Sequence, residues 1–182
     1  DQLQSFCEGA LSGVADRSAS RGYAIDERQS VGMQRVVLVD LGMGNLRSVE
    51  RALRHASGES GVAIEVLRSG KPEDVLRADK IVVPGQGAFR DCSVAIAGGM
   101  GDALRESISA GKPYLGICLG LQALFDSSDE APGAKGLGVF PGHVEKLDPG
   151  SGPQAVKIPH MGWNELEMVR PLPKPFQVWP YE

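Results

Sequence analysis

The chain has 182 residues, 42% of them apolar and 23% charged, with a net charge of −4. That is enough chain for one domain with its own core, in an ordinary globular composition. It has no Lys/Arg-rich run and no apolar run of membrane-spanning length, which sets aside a sequence-independent nucleic-acid binder and a transmembrane helix.

Residues 1–32 are rich in Ser, Gly, Asp and Arg, with weak periodicity. They read as a poorly ordered extension with no basic-then-apolar signal peptide, followed by a domain over 33–182. "RVVLVD" (35–40) is a short β-branched run, the pattern of a strand covered on both faces. After the turn "LGMGN", Asn45 caps a helix in which Leu46, Val49, Leu53 and Ala56 share one face. "VAIEVL" (62–67) predicts the second strand and "KPEDVLRA" (71–78) a short helix that admits Pro72 in its first turn. "KIVVPG" (80–85) predicts the third strand, and "GQGAFRDC" a loop. "GDALRESISAG" (101–111) predicts a helix stopped by Gly111, "KPYLGI" (112–117) the fourth strand, and "LGLQALFDS" (119–127) the helix after it. Beyond Ser127 comes a loop, then "HVEKLD" and "QAVKIPH" as strands of a hairpin or small side sheet. Strands alternating with helices predict a three-layer α/β/α fold with a mostly parallel sheet. Ligands on such sheets bind outside the carboxyl ends of the strands. "GMGN", "PGQGAF" and "GICLG" all fall there.

The three cysteines, Cys7, Cys92 and Cys118, form no C-x-x-C pair and no Cys/His cluster, so neither a disulfide framework nor a metal site is expected, and a cytoplasmic protein fits. His55, His143 and His160 are scattered and read as surface or locally hydrogen-bonded residues. "GICLG" has the spacing glycine–x–nucleophile–x–glycine, with Cys118 in the central place. In the serine version the nucleophile sits on a sharp strand-to-helix turn, and glycines stand where strand and helix approach too closely for side chains. That geometry lifts the Cys118 sulfur from the sheet, favours its thiolate at a helix start, and places the Leu119 N–H to stabilise an oxyanion. The competing account makes Cys118 a small buried residue with incidental glycines. "PGQGAF" could complete an oxyanion hole beside Leu119 or be a plain Gly-rich turn. "DLGMGNL" lacks the third glycine of a dinucleotide fingerprint, Arg47 standing in its place, and reads as a tight turn. Trp163, in "KIPHMGWNEL", reads as a core anchor on residue type alone.

Four stretches taken together, "DLGMGNLRSVERAL", "VPGQGAFRDC", "GKPYLGICLGLQALFDSSDE" and "KIPHMGWNEL", resemble in order and spacing the glutaminase subunits of imidazole glycerol phosphate synthase. These are the histidine-biosynthesis members of the triad (class I) glutamine amidotransferases. The resemblance implies a flavodoxin-like α/β/α fold and a glutamine substrate attacked by Cys118 to give a γ-glutamyl thioester and ammonia. It implies that Gly85, Gln86 and Gly87 form the oxyanion strand, Gln86 standing where the family usually has Val. It implies that Gly116, Leu119 and Gln122 line the glutamine pocket. Met161, Gly162, Trp163 and Asn164 then face a (β/α)₈ synthase partner that receives the ammonia, which moves Trp163 from core to interface. No metal or organic cofactor is implied. Family members also carry a catalytic His and Glu in a late "HPE" stretch, and no such stretch occurs between Asp1 and Glu182. The resemblance therefore implies a C-terminally truncated domain, inactive as it stands, with apolar surface left bare. The alternatives are a non-catalytic docking subunit of the same fold, or another cysteine hydrolase of related architecture.

Overall fold

The computed structural model describes residues 32–152, together with Ala155, Lys157 and Ile158. The expectation of a disordered head and the stretch from Met161 to Asn164 lie outside the described residues, apart from Gly32. Four strands form one parallel sheet: β1 (Gln34–Val39), β2 (Ile64–Ser69), β3 (Lys80–Gly85) and β4 (Tyr114–Cys118), in the order β2-β1-β3-β4. Helices α1 (Leu46–Ser60), α2 (Pro72–Leu76), α3 (Phe89–Ala95), α4 (Gly99–Ser109) and α5 (Leu119–Gln122) intervene. The fold is the three-layer α/β arrangement that the alternation predicts.

The β-branched run of β1 explains its central place. Val36, Val37, Leu38 and Val39 are all buried, and strand alternation sends them to opposite faces. Val37 and Val39 join Ile81, Val83, Val75, Phe89 and Leu104 in the larger core. Val36 and Leu38 join Val82 in a smaller one, packed by Leu46, Val49 and Leu53 of α1. Asn45 caps α1 as expected, its side-chain oxygen accepting the Ser48 N–H at 3.1 Å, and Gly61 closes the helix with φ of 70°.

The two faces are unequally covered. Between the second half of α1 and the starts of β3 and β4 runs an apolar groove of about 480 Å³, lined by Leu53, Ala56, Ile64, Ile81, Val82 and Leu115 among others. Leu115 and Ile117 of β4 are 52% and 39% exposed. Leu115 pairs in register with Val82 and lines that groove opposite Leu53 and Ala56 of α1.

Three elements differ from expectation. "GQGAFRDC" is not all loop: its second half begins α3, because Phe89 and Cys92 bury one helical turn apart in the larger core. The helix after β4 stops at Gln122 instead of Ser127. The chain beyond it is drawn out by distant backbone partners: Leu137 N–H bonds the Ala123 carbonyl at 2.6 Å, Val139 N–H the Leu124 carbonyl at 2.8 Å, and Gly136 N–H the Asp126 carbonyl at 2.9 Å. Those bonds satisfy carbonyls that a longer helix would have used. The predicted strand "HVEKLD" shrinks to β6 (His143–Val144), paired in parallel with β5 (Ser127–Ser128) in a side sheet. Its proposed companion "QAVKIPH" lies largely outside the described residues.

Candidate functional site

The turn from β4 into α5 holds its backbone in an unusual conformation. Cys118 has φ of 55° and ψ of −112°, and among the described residues no other non-glycine has a positive φ. An L-residue held there costs on the order of 1–3 kcal/mol, tolerated only where the surroundings over-determine it. The surroundings do so through three glycines. A Cβ on Gly120 would lie 1.8 Å from the Val83 carbonyl oxygen, one on Gly116 would lie 2.5 Å from the Gly120 oxygen, and one on Gly85 would lie 2.7 Å from the Leu119 Cβ. The helix therefore sits directly on the backbone of β3 and β4. The glycines flanking the cysteine stand where the nucleophile-turn geometry requires them, and the competing account of a buried cysteine with incidental glycines is overturned.

Cys118 itself is exposed, whereas Cys92 is wholly buried. Burial pushes the Cys92 thiol up to about 11, so it stays protonated and unreactive near neutrality. Cys7 lies outside the described residues.

Gly85 is the register partner of Cys118 across the β3–β4 ladder, so the loop after β3 begins next to the sulfur-bearing turn. Gly85 is buried beneath Leu119, while Gln86 and Gly87 are exposed and Gly87 has φ of 105°. Leu119 is split in function: its side chain is 2% exposed and belongs to the larger core, so only its backbone faces the turn. Gln122 ends α5 half-buried. The "GMGN" loop closes the group, Gly44 lying so close to β3 that a Cβ would be 3.4 Å from the Pro84 carbonyl carbon. Three strand-end loops far apart in sequence thus converge on one edge of the sheet, as the parallel topology demands.

Two residues enter the site that sequence reasoning missed. The Phe89 N–H, at the start of α3, donates to Glu130 Oε2 at 3.3 Å, tying the loop after β3 to the "SSDE" stretch. The Tyr114 hydroxyl donates to the Gly120 carbonyl at 2.8 Å, inside the turn itself. Neither has a sequence signal, since each link spans elements whose approach is tertiary. His143 faces Asp129 and Glu145 at 3.9 and 3.7 Å, an exposed surface cluster. Chemically, the arrangement offers an accessible thiol on a strained turn, flanked by backbone N–H groups.

A parallel α/β sheet with a cysteine on a glycine-flanked strand-to-helix turn defines a class of acyl-transferring cysteine enzymes. The profile of one family, glutamine amidotransferase class-I, matches residues 37–181, and the chain belongs to that family. Its similar relatives include the imidazole glycerol phosphate synthase subunit HisH of Nitrosospira multiformis, 46% identical over 140 residues, covering 74% of this chain and 63% of the relative. The HisH subunit of Granulibacter bethesdensis is 44% identical over 136 residues, covering 73% and 60%. The chloroplastic synthase hisHF of Arabidopsis thaliana is 46% identical over 134 residues, covering 73% of this chain and 21% of that longer protein. A crystal structure of a glutamine amidotransferase superposes with a TM-score of 0.50 at 25% identity, over 60% of this chain and 55% of that one. The chain spans about 60–63% of the length of these first two relatives.

Proposed function

We propose that this protein is the glutaminase part of an imidazole glycerol phosphate synthase, hydrolysing glutamine and handing ammonia to a synthase subunit in histidine biosynthesis. The Cys118 thiolate attacks the side-chain amide carbon of glutamine and forms the C–S bond. The carbonyl oxygen, now an oxyanion, is held by the Leu119 N–H and by an N–H of the Gly85–Gln86–Gly87 strand. The C–N bond breaks as the nitrogen gains a proton, ammonia leaves, and water cleaves the γ-glutamyl thioester to glutamate. Gly116 and Gln122 complete the glutamine pocket. Gln86 in place of valine leaves the backbone donor available.

The observation that carries this reading is the strained backbone of an exposed Cys118, held by three glycines that admit no side chain. Family membership and the relatives' names support it. Proton transfer needs a base, which we assign to a His-Pro-Glu stretch not found between Asp1 and Glu182. Residues 1–182 alone are therefore proposed to be inactive towards glutamine, because both loss of ammonia and thioester hydrolysis need that proton transfer and losing a triad member costs roughly 10³–10⁴-fold or more. We place the amidotransferase domain at residues 33–182, leave 1–32 outside it, and place the Met161–Asn164 loop against a (β/α)₈ partner in the cytoplasm. No helix among the described residues is long and apolar enough to cross a membrane.

The test is covalent labelling with a glutamine-shaped diazoketone, read by peptide mass spectrometry. The expected adduct is on Cys118, not Cys92, and glutamine protects against it. A Cys118 that reacts with iodoacetamide but ignores the diazoketone would make the chain a docking module instead.

A further inference from the structure

We propose that Tyr114 is a positioning residue for Cys118, its hydroxyl holding the one-turn helix α5 in the orientation that keeps the Leu119 N–H beside the thiol. The inference rests on the glutaminase reading for its consequence in chemistry, but not for its structural content.

The carbonyl of Gly120 is the pivot. In a continuing helix it would accept the N–H four residues on, from Leu124. Here the Leu124 N–H goes to the Leu121 carbonyl at 3.1 Å, in a tighter turn, because the chain is leaving the helix to pair with residues 137–140. The Gly120 oxygen is left pointing at β4, and the Tyr114 hydroxyl meets it at 2.8 Å. Strand alternation puts Tyr114 and Gly116 on the same face of β4, and the missing side chain of Gly116 opens the space the Gly120 oxygen occupies.

What the bond secures is unusual. A helix of four residues has little cooperative stability of its own, so tertiary contacts must orient it. The closing backbone bond of α5, from Ala123 N–H to the Leu119 carbonyl at 2.8 Å, fixes its pitch but not its tilt over the sheet. Tilt is set by the Val83 carbonyl below Gly120 and by the Tyr114 hydroxyl beside it. The tyrosine ring packs against the larger core, which anchors the hydroxyl in turn. Burial, with the Cys92 thiol nearby, pushes the Tyr114 hydroxyl well above its ordinary range, so it remains a donor at every working pH.

The experiment compares the wild-type chain with Tyr114→Phe, which keeps the ring and removes the oxygen. Hydrogen exchange read over peptides covering 114–124 is expected to quicken in the segment 119–124 while the α4 peptides stay as they were. Diazoketone labelling of Cys118 is expected to slow about tenfold, the scale of losing one buried hydrogen bond that holds a reacting geometry, while iodoacetamide alkylation changes less than about twofold. Unchanged exchange at 119–124 would overturn the proposal, and so would a uniform loosening of the whole domain or a parallel fall with both reagents. A wild-type Cys118 that refuses the diazoketone is a failure of the glutaminase reading, and the exchange comparison then decides the role of Tyr114 alone.

Discussion

Replacing Gly120 by alanine adds one methyl group at the tightest of the described glycine positions. Its Cβ would lie 1.8 Å from the Val83 carbonyl oxygen and 2.8 Å from the Val83 carbonyl carbon. Val83 is fully buried in the middle of β3, so the strand cannot retreat. The strain must go into α5, which has to lift by roughly 1 Å or more, at the 1–3 kcal/mol typical of overpacking. For a domain of this size that lowers the melting temperature by about 3–10 °C. The lift also moves the Leu119 N–H and the Cys118 backbone, and a displacement of that size costs up to about a hundredfold in a positioned reaction. Thermal unfolding followed by circular dichroism reads the first effect, and the rate of diazoketone labelling at Cys118 reads the second. Gly58→Ala is the matched comparison. Gly58 stands in α1 with nothing within 4 Å of an added Cβ, so alanine there is expected to stabilise by about 0.5–1 kcal/mol without touching the labelling rate. A Gly120→Ala protein with unaltered melting and labelling would refute the claim that close backbone approach explains the glycine pattern.

Cys118→Gly removes the proposed nucleophile and also the only side chain held at positive φ among the described residues. It is expected to raise stability by about 1 kcal/mol in urea unfolding while abolishing covalent labelling, and a loss of stability would argue against strain at the turn. Cys92 gives the pH prediction. Its thiol titrates near 11 in the fold against an ordinary value of 9.0, so the native state holds the proton longer than the unfolded chain. The stability this contributes is intact below about pH 9 and is lost as pH rises towards about 11. Denaturant midpoints measured across that range should fall more steeply for the wild type than for Cys92→Ala, and equal slopes would contradict the burial argument.

The sheet was legible because its strands are continuous apolar runs between turn residues. "KIVVPG" is β3 to the residue, and β1 is displaced by one. The glycine-flanked turn at Cys118 was legible because its glycines are spaced by a local collision. Elsewhere the local signal misled. "LGLQALFDS" has an apolar helical pattern, yet long-range pairing with residues 136–140 ends the helix at Gln122. Phe89 and Cys92 were read within a loop because seven residues are too few to show a helical period. The sequence places Gly85 at the end of the third strand and, by resemblance, in the oxyanion strand, and the structure also makes it the floor under Leu119.

From its sequence by itself, this chain determined the alternation of a parallel α/β fold, the candidate cysteine and the glycines around it, because each is written within a few neighbouring residues. Only the tertiary structure decided that Cys118 is exposed while Cys92 is sealed in the core, that Glu130 ties the start of α3 to a distant loop, and that Tyr114 holds Gly120. Those facts depend on which backbones approach within hydrogen-bonding distance, and such approaches leave no periodicity in the chain to be read.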